Sequence, residues 1–344
     1  TEELDFESAR GRLLAQRFGT FDSFSHHLKK LGHEAEEIIT NDSRLQCKWL
    51  REQDLRIQAY PDFWAGAGNW LFSRDWRFRV IEAQMARLKP DVIYVQEQNL
   101  FTDAMVAALK KHARLVASQI ASPLVRRRTY QSVDLVLTSF PHYVPYFRSR
   151  GIQAEYVPLC FDRRIVDEIR PSEKKFAFTF VGGMTHQHHA RRFELLERAA
   201  AEFPLEWFGY GRGNVPLRSA LRRAWRGEAW GLEMYRILAA SWMTLNCHGE
   251  ISGDYANNAR LFEATGAGAC LITDWKSNLT EFFEPEQEVV SYRDAEDLVR
   301  KIRDLWDGKE RQRAIGERGQ RRTLAEHTYD QVIPEIVSIL KRYL

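Results

Sequence analysis

Three polar residues at helical spacing form the pattern with the clearest chemical meaning in this 344-residue sequence. Asn257, Arg260 and Glu263 follow one another at intervals of three residues, so they can project from neighbouring faces of one helix. A helix that packs against a sheet seldom carries Arg and Glu unless both have partners. Glu263 is suited to accept hydrogen bonds from a ribose diol, and Arg260 is suited to bind phosphate or to pair with Glu263. A purely structural Arg260–Glu263 ion pair is the alternative interpretation.

A pair of glycines marks a second candidate site. Gly182 and Gly183 follow a strand predicted at 176–181 and precede a helix predicted from 189. Glycines let backbone N–H groups approach a phosphate, and a helix N-terminus adds positive potential. An ordinary strand-to-helix turn is an equally good explanation. The histidines His186, His188 and His189 lack the spacing of a zinc-binding helix, so we predict no metal site. We expect one of them to donate a hydrogen bond to phosphate, with His186 as the candidate.

Further polar residues follow the next predicted strands. The glycine-rich segment 208–213 has Asn214 where a dinucleotide fingerprint needs its third glycine, so we predict no dinucleotide site there. Arg212 is instead a candidate contact to a diphosphate, and a plain surface loop is the alternative. The strand predicted at 242–246 ends in polar residues, at the edge where open parallel sheets bind ligands. The candidate binding residues are Gly182, Gly183, His186, Tyr210, Arg212, Asn246, His248, Tyr255, Asn257, Asn258, Arg260 and Glu263.

Short apolar strands alternate with helices along the chain, which indicates an α/β protein with doubly wound parallel sheets. The first half has predicted strands at 91–96, 114–118, 134–139 and 154–158, with helices at 6–18, 21–31, 76–88, 102–112 and 141–150. The second half has predicted strands at 176–181, 205–208, 242–246, 269–273 and 288–291, with helices at 189–202, 232–240, 256–265, 295–306, 310–326 and 333–344. We predict two Rossmann-like domains, 1–160 and 176–327, joined by a linker at 161–175. The strand that normally opens such a domain is not recognisable in the first half.

Composition excludes several classes of protein. Hydrophobic residues make up 44% and charged residues 28%, as in a packed globular protein. The net charge of +3 gives no argument for nucleic acid as a partner. No apolar run approaches the ~18 residues of a membrane span, and no secretory signal opens the sequence. The cysteines lack paired spacing, so we expect reduced thiols in a cytoplasmic protein.

The segment Asn258–Asp274 resembles the donor-site signature of glycosyltransferases with the GT-B fold, most closely a bacterial spore-maturation-like branch. The residues that carry the resemblance are Arg260, Phe262, Glu263 and the Thr273-Asp274 pair. Residues 180–183 are similar to the family's first donor-domain strand and loop. Residues 279–292 and, more loosely, 130–158 also have the family's pattern.

The resemblance implies a nucleotide-sugar-dependent transferase whose two Rossmann-like domains face each other across a cleft. It implies that Glu263 holds the ribose hydroxyls and that Gly182 and Gly183 form the diphosphate loop. The family's paired glutamate falls on Tyr255 here, which leaves the contact to the sugar unassigned. The resemblance further implies that 328–344 packs back on the first domain. No cofactor and no metal are implied, in agreement with the lack of a suitable D-x-D motif.

The sequence gives less information about the residues that bind and activate the acceptor. An inverting reaction needs a carboxylate or imidazole near the acceptor hydroxyl. Glu97, at a strand end, and His26, in the helix 21–31, are the candidate bases. A partly exposed helix residue with no catalytic role is the favoured interpretation of His26. Segment 62–76 is rich in Trp and fits either a sugar-stacking surface or core packing.

The partners predicted from the sequence are a nucleotide sugar and a carbohydrate, protein or small-molecule acceptor, with peripheral membrane contact left open. Two other functions stay open at this point. One is a non-catalytic protein that binds nucleotide sugars or carbohydrates. The other is a dinucleotide-dependent oxidoreductase or isomerase.

Overall fold

The computed structural model describes residues 4–57, 76–169, 173–185 and 190–344. The chain divides into two compact units. The first comprises Thr1–Val157 and Pro334–Leu344, and the second comprises Pro158–Ile333. Each unit is built around its own parallel sheet.

The first unit contains a four-stranded parallel sheet in the order β1-β2-β3-β4. Its strands are β1 Val92–Val95, β2 Leu115–Ile120, β3 Leu135–Thr138 and β4 Ala154–Tyr156. Its helices are α1 Phe6–Leu14, α2 Ser23–Lys30, α3 Ser43–Glu52, α4 Trp76–Leu88, α5 Asp103–Leu109 and α6 Tyr143–Arg148. All four residues of β3 are buried, which explains the continuous apolar run in the sequence: both faces of the strand are covered.

The N-terminal helices of the first unit pack through their own apolar cluster. Phe6, Trp49, Trp76 and Val80 are buried together there. Asp5 caps α1, because its side chain accepts a hydrogen bond from the Ser8 N–H, and Asp42 caps α3 in the same way.

The second unit contains a six-stranded parallel sheet in the order β10-β9-β8-β5-β6-β7. Its strands are β5 Phe176–Val181, β6 Glu206–Phe208, β7 Trp225–Gly227, β8 Ser241–Leu245, β9 Cys270–Asp274 and β10 Val290–Tyr292. Its helices are α7 Arg164–Ile169, α8 Ala190–Glu202, α9 Ala220–Ala224, α10 Gly231–Ala239, α11 Ala259–Gly266, α12 Leu279–Phe282, α13 Ala295–Leu305 and α14 Lys309–Glu326. Strand order reverses at β5, which pairs with β6 on one side and with β8 on the other. Open sheets bind ligands at such a reversal, at the carboxyl ends of the strands.

A last helix, α15 Tyr329–Tyr343, has its residues from Pro334 onward in the first unit. There Arg342 Nη2 and the Tyr343 hydroxyl donate to Glu155 Oε1 on β4, at 3.1 and 2.9 Å. The predicted linker 161–175 differs from the structure, because it contains α7 and the second unit begins at Pro158. None of the helices in the described ranges is long and apolar enough to cross a membrane.

Candidate functional site

The loop that follows β5 is bound to the loop that follows β6. The Gly182 N–H donates to the Phe208 carbonyl at 2.9 Å, and the Met184 N–H donates to the Tyr210 carbonyl at 3.0 Å. A Cβ atom on Gly183 would lie 2.2 Å from the Tyr210 ring. A side chain at position 183 would therefore displace the Tyr210 ring, which lies directly against the Gly183 backbone.

Two exposed aromatic rings and one exposed arginine lie in the loops that follow β6 and β7. Tyr210 stacks on Trp230 with ring centroids 5.6 Å apart and an interplanar angle of 11°. Their residues are 40% and 46% exposed. The Arg212 guanidinium lies over the Trp225 ring, 4.9 Å from its centroid. Among the described residues Arg212 is not part of the basic cleft described below.

The loop after β8 is fixed to the start of α11 by a pair of amides. Asn258 Nδ2 donates to Asn246 Oδ1 at 2.8 Å, and Asn246 Nδ2 donates to Thr273 Oγ1 at 3.0 Å. Asn258 also caps α11, since its Oδ1 accepts the Leu261 N–H at 3.1 Å. The helix therefore begins at Ala259, later than the predicted 256. Asn246 and Asn258 hold the backbone of the site in place.

Arg260 and Glu263 form an ion pair on α11. Arg260 Nη1 lies 2.8 Å from Glu263 Oε2, and each side chain is 16% exposed. The Tyr235 hydroxyl donates to Glu263 Oε1 at 3.2 Å. Arg260 Nε donates to the Val181 carbonyl at 3.1 Å, at the end of β5. The pair thus joins α11 to the reversal point of the sheet.

His248 and Asp274 form a buried pair at the ends of β8 and β9. His248 Nδ1 lies 2.6 Å from Asp274 Oδ1, which also accepts the His248 backbone N–H at 2.9 Å. Burial alone would raise the pKa of Asp274, but the hydrogen bonds and charge of His248, together with Lys276, lower it below its ordinary value. Asp274 is therefore ionised at neutral pH.

A basic cleft of about 190 Å³ lies beside this pair. Arg192 donates to the carbonyls of Gly183 and Cys247 at 3.1 and 3.2 Å, which ties the cleft to the ends of β5 and β8. Lys276 Nζ lies 3.7 Å from Asp274 Oδ2. The cleft is lined by Arg191, Arg192, His248, Gly249, Glu250, Gly253, Asp274 and Lys276.

Of the predicted binding residues, His248 alone lines this cleft in the described part of the chain. Three residues of the cleft were not predicted from the sequence: Arg191, Arg192 and Lys276. One signal could have found the two arginines: they stand in the first turn of α8, where the helix dipole disfavours positive charge. Two cations in that position indicate an anion nearby.

The remaining predicted binding residues lie around the loop before α11 or outside the described ranges. The Tyr255 N–H donates to the Ser252 carbonyl at 3.0 Å. Asn257 is buried, and its Nδ2 has no hydrogen-bond partner among the described residues. His186 and residues 62–75 of the Trp-rich segment lie outside the described residues.

Both candidate bases are half-buried residues of the first unit. Glu97 follows β1, where its Oε1 accepts the Asn99 N–H at 3.0 Å and the Ser122 hydroxyl at 3.2 Å. His26 lies on α2 with its ring centroid 4.9 Å from that of His27. In the described ranges no group of three or more His, Cys, Asp or Glu is arranged to hold a metal ion.

Comparison with known proteins shows which family and which fold the chain matches. A profile of the family described as glycosyl transferase-like matches residues 163–338, more than half of the chain. No curated protein sequence matches the chain.

Three solved structures illustrate the likeness of the fold. The glycosyltransferase from Rickettsia africae ESF-5 has a TM-score of 0.58 at 11% identity, covering 93% of both chains. HepE from Anabaena in complex with UDP and glucose has a TM-score of 0.58 at 11% identity, covering 85% of this chain and 88% of its own. Sucrose-phosphate synthase from Thermosynechococcus elongatus has a TM-score of 0.54 at 14% identity, covering 78% and 77%. The predicted GT-B fold is confirmed.

Proposed function

The chain belongs to the glycosyl transferase-like family, and we propose that it moves a sugar from a uridine diphosphate sugar to an acceptor hydroxyl with the donor's diphosphate in the basic cleft of the second unit. That it is a glycosyltransferase using a nucleotide-sugar donor follows from the family and the fold. The choice of uridine and the placement of the diphosphate are the proposal. The spore-maturation-like branch stays a prediction.

The main support for the proposal is that three cationic residues line the same cleft: Arg191, Arg192 and Lys276. Among the charged groups that line it, only Glu250 and Asp274 are acidic, and Asp274 is engaged by His248 and Lys276. Arg191 Nη2 donates to the Arg293 carbonyl at 3.1 Å, and no carboxylate within the described ranges pairs with it. The cleft therefore carries net positive charge in a partly enclosed site, which favours a doubly charged diphosphate.

The position of the cleft supports the same ligand. It opens at the carboxyl ends of β8 and β9, beside the first turn of α8, where backbone N–H groups add to the positive potential. The cationic side chains can offset the charge that grows on the diphosphate as the sugar leaves. We therefore propose that metal is not required for this step, because the side chains supply the charge that a metal would supply.

Uridine is favoured over guanosine and thymidine by the ligands of similar structures. HepE from Anabaena was solved with UDP-glucose (TM-score 0.58), and the pneumococcal O-GlcNAc transferase GtfA was solved with UDP and GlcNAc (TM-score 0.52). We propose that Glu263 binds the ribose with the lone pairs that its two internal partners leave free. Tyr210 and Arg212 are proposed to border the nucleotide.

The acceptor side is proposed to lie on the first unit. Glu97 is the preferred base: it follows β1 at the carboxyl end of the sheet, and its carboxylate already accepts two hydrogen bonds that hold it in place. His26 is the second choice. The kind of acceptor, the peripheral membrane contact and the cytoplasmic location stay predictions.

Calorimetric titration with UDP tests the placement of the diphosphate. Removing the Arg191 guanidinium should weaken binding by about 1.5–3 kcal/mol, or ~10–150-fold, the usual value of a hydrogen bond to a charged group. The matched control is Arg198→Ala, on the same helix, whose guanidinium pairs with Glu202 at 3.1 Å and is exposed. Equal affinities of R191A and R198A would contradict the proposal.

A further inference from the structure

A tight turn in the first unit carries two exposed arginines at the same edge of the sheet as the proposed base. Arg126 and Arg127 occupy the two central positions of this turn, which closes where the Arg128 N–H donates to the Val125 carbonyl at 3.0 Å. The turn lies in the segment that follows β2, and Glu97 follows β1. The two strands pair in parallel, so both segments leave the sheet at its carboxyl edge.

Hydrogen bonds join this turn to the segment that carries Glu97. The Ser122 hydroxyl, in the loop that leads to the turn, donates to Glu97 Oε1 at 3.2 Å. After the turn, the Arg128 guanidinium donates to the carbonyl of Gln98, the residue next to Glu97, at 2.9 Å. The loop is therefore held to the segment of the base on both sides of the two arginines.

Tyr130 holds the turn further, in a backbone conformation that is unfavourable for Tyr130 itself. Its hydroxyl accepts the Val125 N–H at 2.8 Å and donates to Asn99 Oδ1 at 2.9 Å. Its φ of 59° lies in the left-handed region, which residues with bulky side chains rarely adopt. The conformation of the turn is thus determined by contacts within the chain.

The guanidinium groups of Arg126 and Arg127 are available to a ligand. Both residues are exposed, and neither makes a hydrogen bond or an ion pair with any residue that the structure describes. The carboxylate of Asp103, which is bonded to the same loop, accepts from the N–H and the hydroxyl of Thr129 instead. The sequence contains no acidic residue between positions 104 and 133. Neighbouring guanidinium groups repel each other, and an anion bound between them offsets this repulsion.

We propose that the acceptor is an anionic molecule, whose phosphate or carboxylate group binds Arg126 and Arg127 while its hydroxyl group lies against Glu97. The inference rests on the proposed function, since it takes Glu97 as the base on the acceptor side. The planar guanidinium group suits this ligand, because its N–H groups match two oxygens of a phosphate or carboxylate at once.

The two arginines select and orient the acceptor and take no part in the bond changes. Glu97 accepts the proton of the acceptor hydroxyl, whose oxygen forms a bond to the anomeric carbon of the donor sugar. The bond from this carbon to the diphosphate breaks, and the nucleoside diphosphate leaves with the electron pair. A neutral sugar offers the turn no charged partner, so the turn favours the anionic acceptor over its neutral parent. Because both guanidinium groups are exposed, salt should weaken acceptor binding.

The first test uses inorganic phosphate as the probe, on chain that is saturated with UDP so that the donor cleft is filled. Titration at low ionic strength, followed by ³¹P NMR, should show phosphate binding to the native chain. The double variant Arg126→Ala, Arg127→Ala should bind phosphate at least ~10-fold more weakly. The matched control is Lys111→Ala, Arg114→Ala, which also removes two exposed positive charges but just before β2, at the opposite end of that strand, and should bind as the native chain does.

The outcomes separate this inference from the proposed function. UDP binding with equal phosphate affinities of the two double variants, or with no phosphate binding to the native chain, overturns the inference and leaves the proposed function standing. If neither UDP nor GDP nor dTDP binds, the proposed function falls and the inference falls with it. All four substituted residues are exposed, so both double variants should keep the native unfolding midpoint.

The second test is transfer to paired acceptors, followed by release of UDP from UDP-sugars. Glucose is compared with glucose 6-phosphate and glucuronate, and phosphatidylcholine vesicles are compared with vesicles that also contain phosphatidylglycerol, so that a soluble anion and a lipid headgroup are distinguished. For the anionic acceptor that is used, R126A/R127A should raise the acceptor KM at least ~10-fold and leave the donor KM unchanged. Equal use of an anionic acceptor and its neutral parent would overturn the inference, and the phosphate titration decides where no acceptor of the panel is used.

Discussion

Glu263→Ala tests two roles of the Arg260–Glu263 pair, namely stabilising the fold and binding a ligand. Each role has its own measurable effect. The change removes the acceptor of the Tyr235 hydroxyl, which costs about 1 kcal/mol. It also leaves Arg260 without its counter-ion. Arg260 keeps its bond to the Val181 carbonyl, so this second cost is about 2 kcal/mol, below the 3–5 kcal/mol of a fully buried pair. The free energy of unfolding should therefore fall by about 3 kcal/mol, which corresponds to ~6–12 °C in Tm for a domain of this size.

If Glu263 also binds the ribose, the same variant loses affinity for UDP by a further 1–3 kcal/mol, or ~5–150-fold. Thermal unfolding and calorimetry, carried out below the Tm of the variant, measure the two effects separately. Tyr235→Phe is the matched control: it removes one hydrogen bond to Glu263 but leaves the carboxylate and its pair with Arg260. A loss of stability with unchanged affinity would support the purely structural pair. An unchanged Tm would show that the ion pair does not stabilise the fold.

Three further predictions concern other parts of the chain. Glu97→Gln should lower turnover by ~10²-fold or more with donor affinity retained, and near-normal turnover would eliminate Glu97 as the base. Gly183→Ala should destabilise the chain by about 1–3 kcal/mol because its Cβ meets the Tyr210 ring. Gly213→Ala is the control and should not destabilise the chain, because no atom lies within 4 Å of its added Cβ. Equal unfolding midpoints of the two variants would contradict this prediction. Burial lowers the pKa of Lys174 to about 8, so the unfolded chain keeps a proton that the folded chain has lost. The free energy of unfolding should then rise between about pH 8 and pH 10 in denaturant titrations, and Lys174→Met should lack that rise; parallel profiles would contradict it.

The strands, and the long helices that pack on the sheets, were predictable because buried segments contain runs or periodic patterns of apolar residues. The fully buried β3 reads as a continuous apolar run, and α4 was predicted with its observed bounds, 76–88. The elements that were missed are short or polar. β7 has three residues at the edge of its sheet, and α3 contains six polar or charged side chains among ten residues, so neither has a strong apolar pattern.

The location of the site at the strand ends was predictable from the sequence, but most of the residues that line the cleft were not. Asn246 and Asn258 look like ligand donors in the sequence, but their amides bond to each other. A polar residue at a strand end can either bind a ligand or fix a loop, and its spacing in the sequence does not distinguish these two roles. Arg191 and Arg192 follow the histidines at the predicted helix start, and the contact to phosphate was assigned to a histidine instead. The cleft forms only when the ends of β5, β8 and β9 come together, which the chain order does not show.

In the proposed function, the cations of the second unit hold the diphosphate of a nucleotide-sugar donor during transfer. The most direct test is a donor screen by mass spectrometry that follows release of nucleoside diphosphate from UDP-, GDP- and dTDP-sugars, with R191A and R198A assayed in parallel at subsaturating donor. We expect UDP to be released from a UDP-sugar by the native chain and by R198A, and at least ~5-fold more slowly by R191A. Equal rates for R191A and R198A, or release from a different nucleotide only, would contradict it.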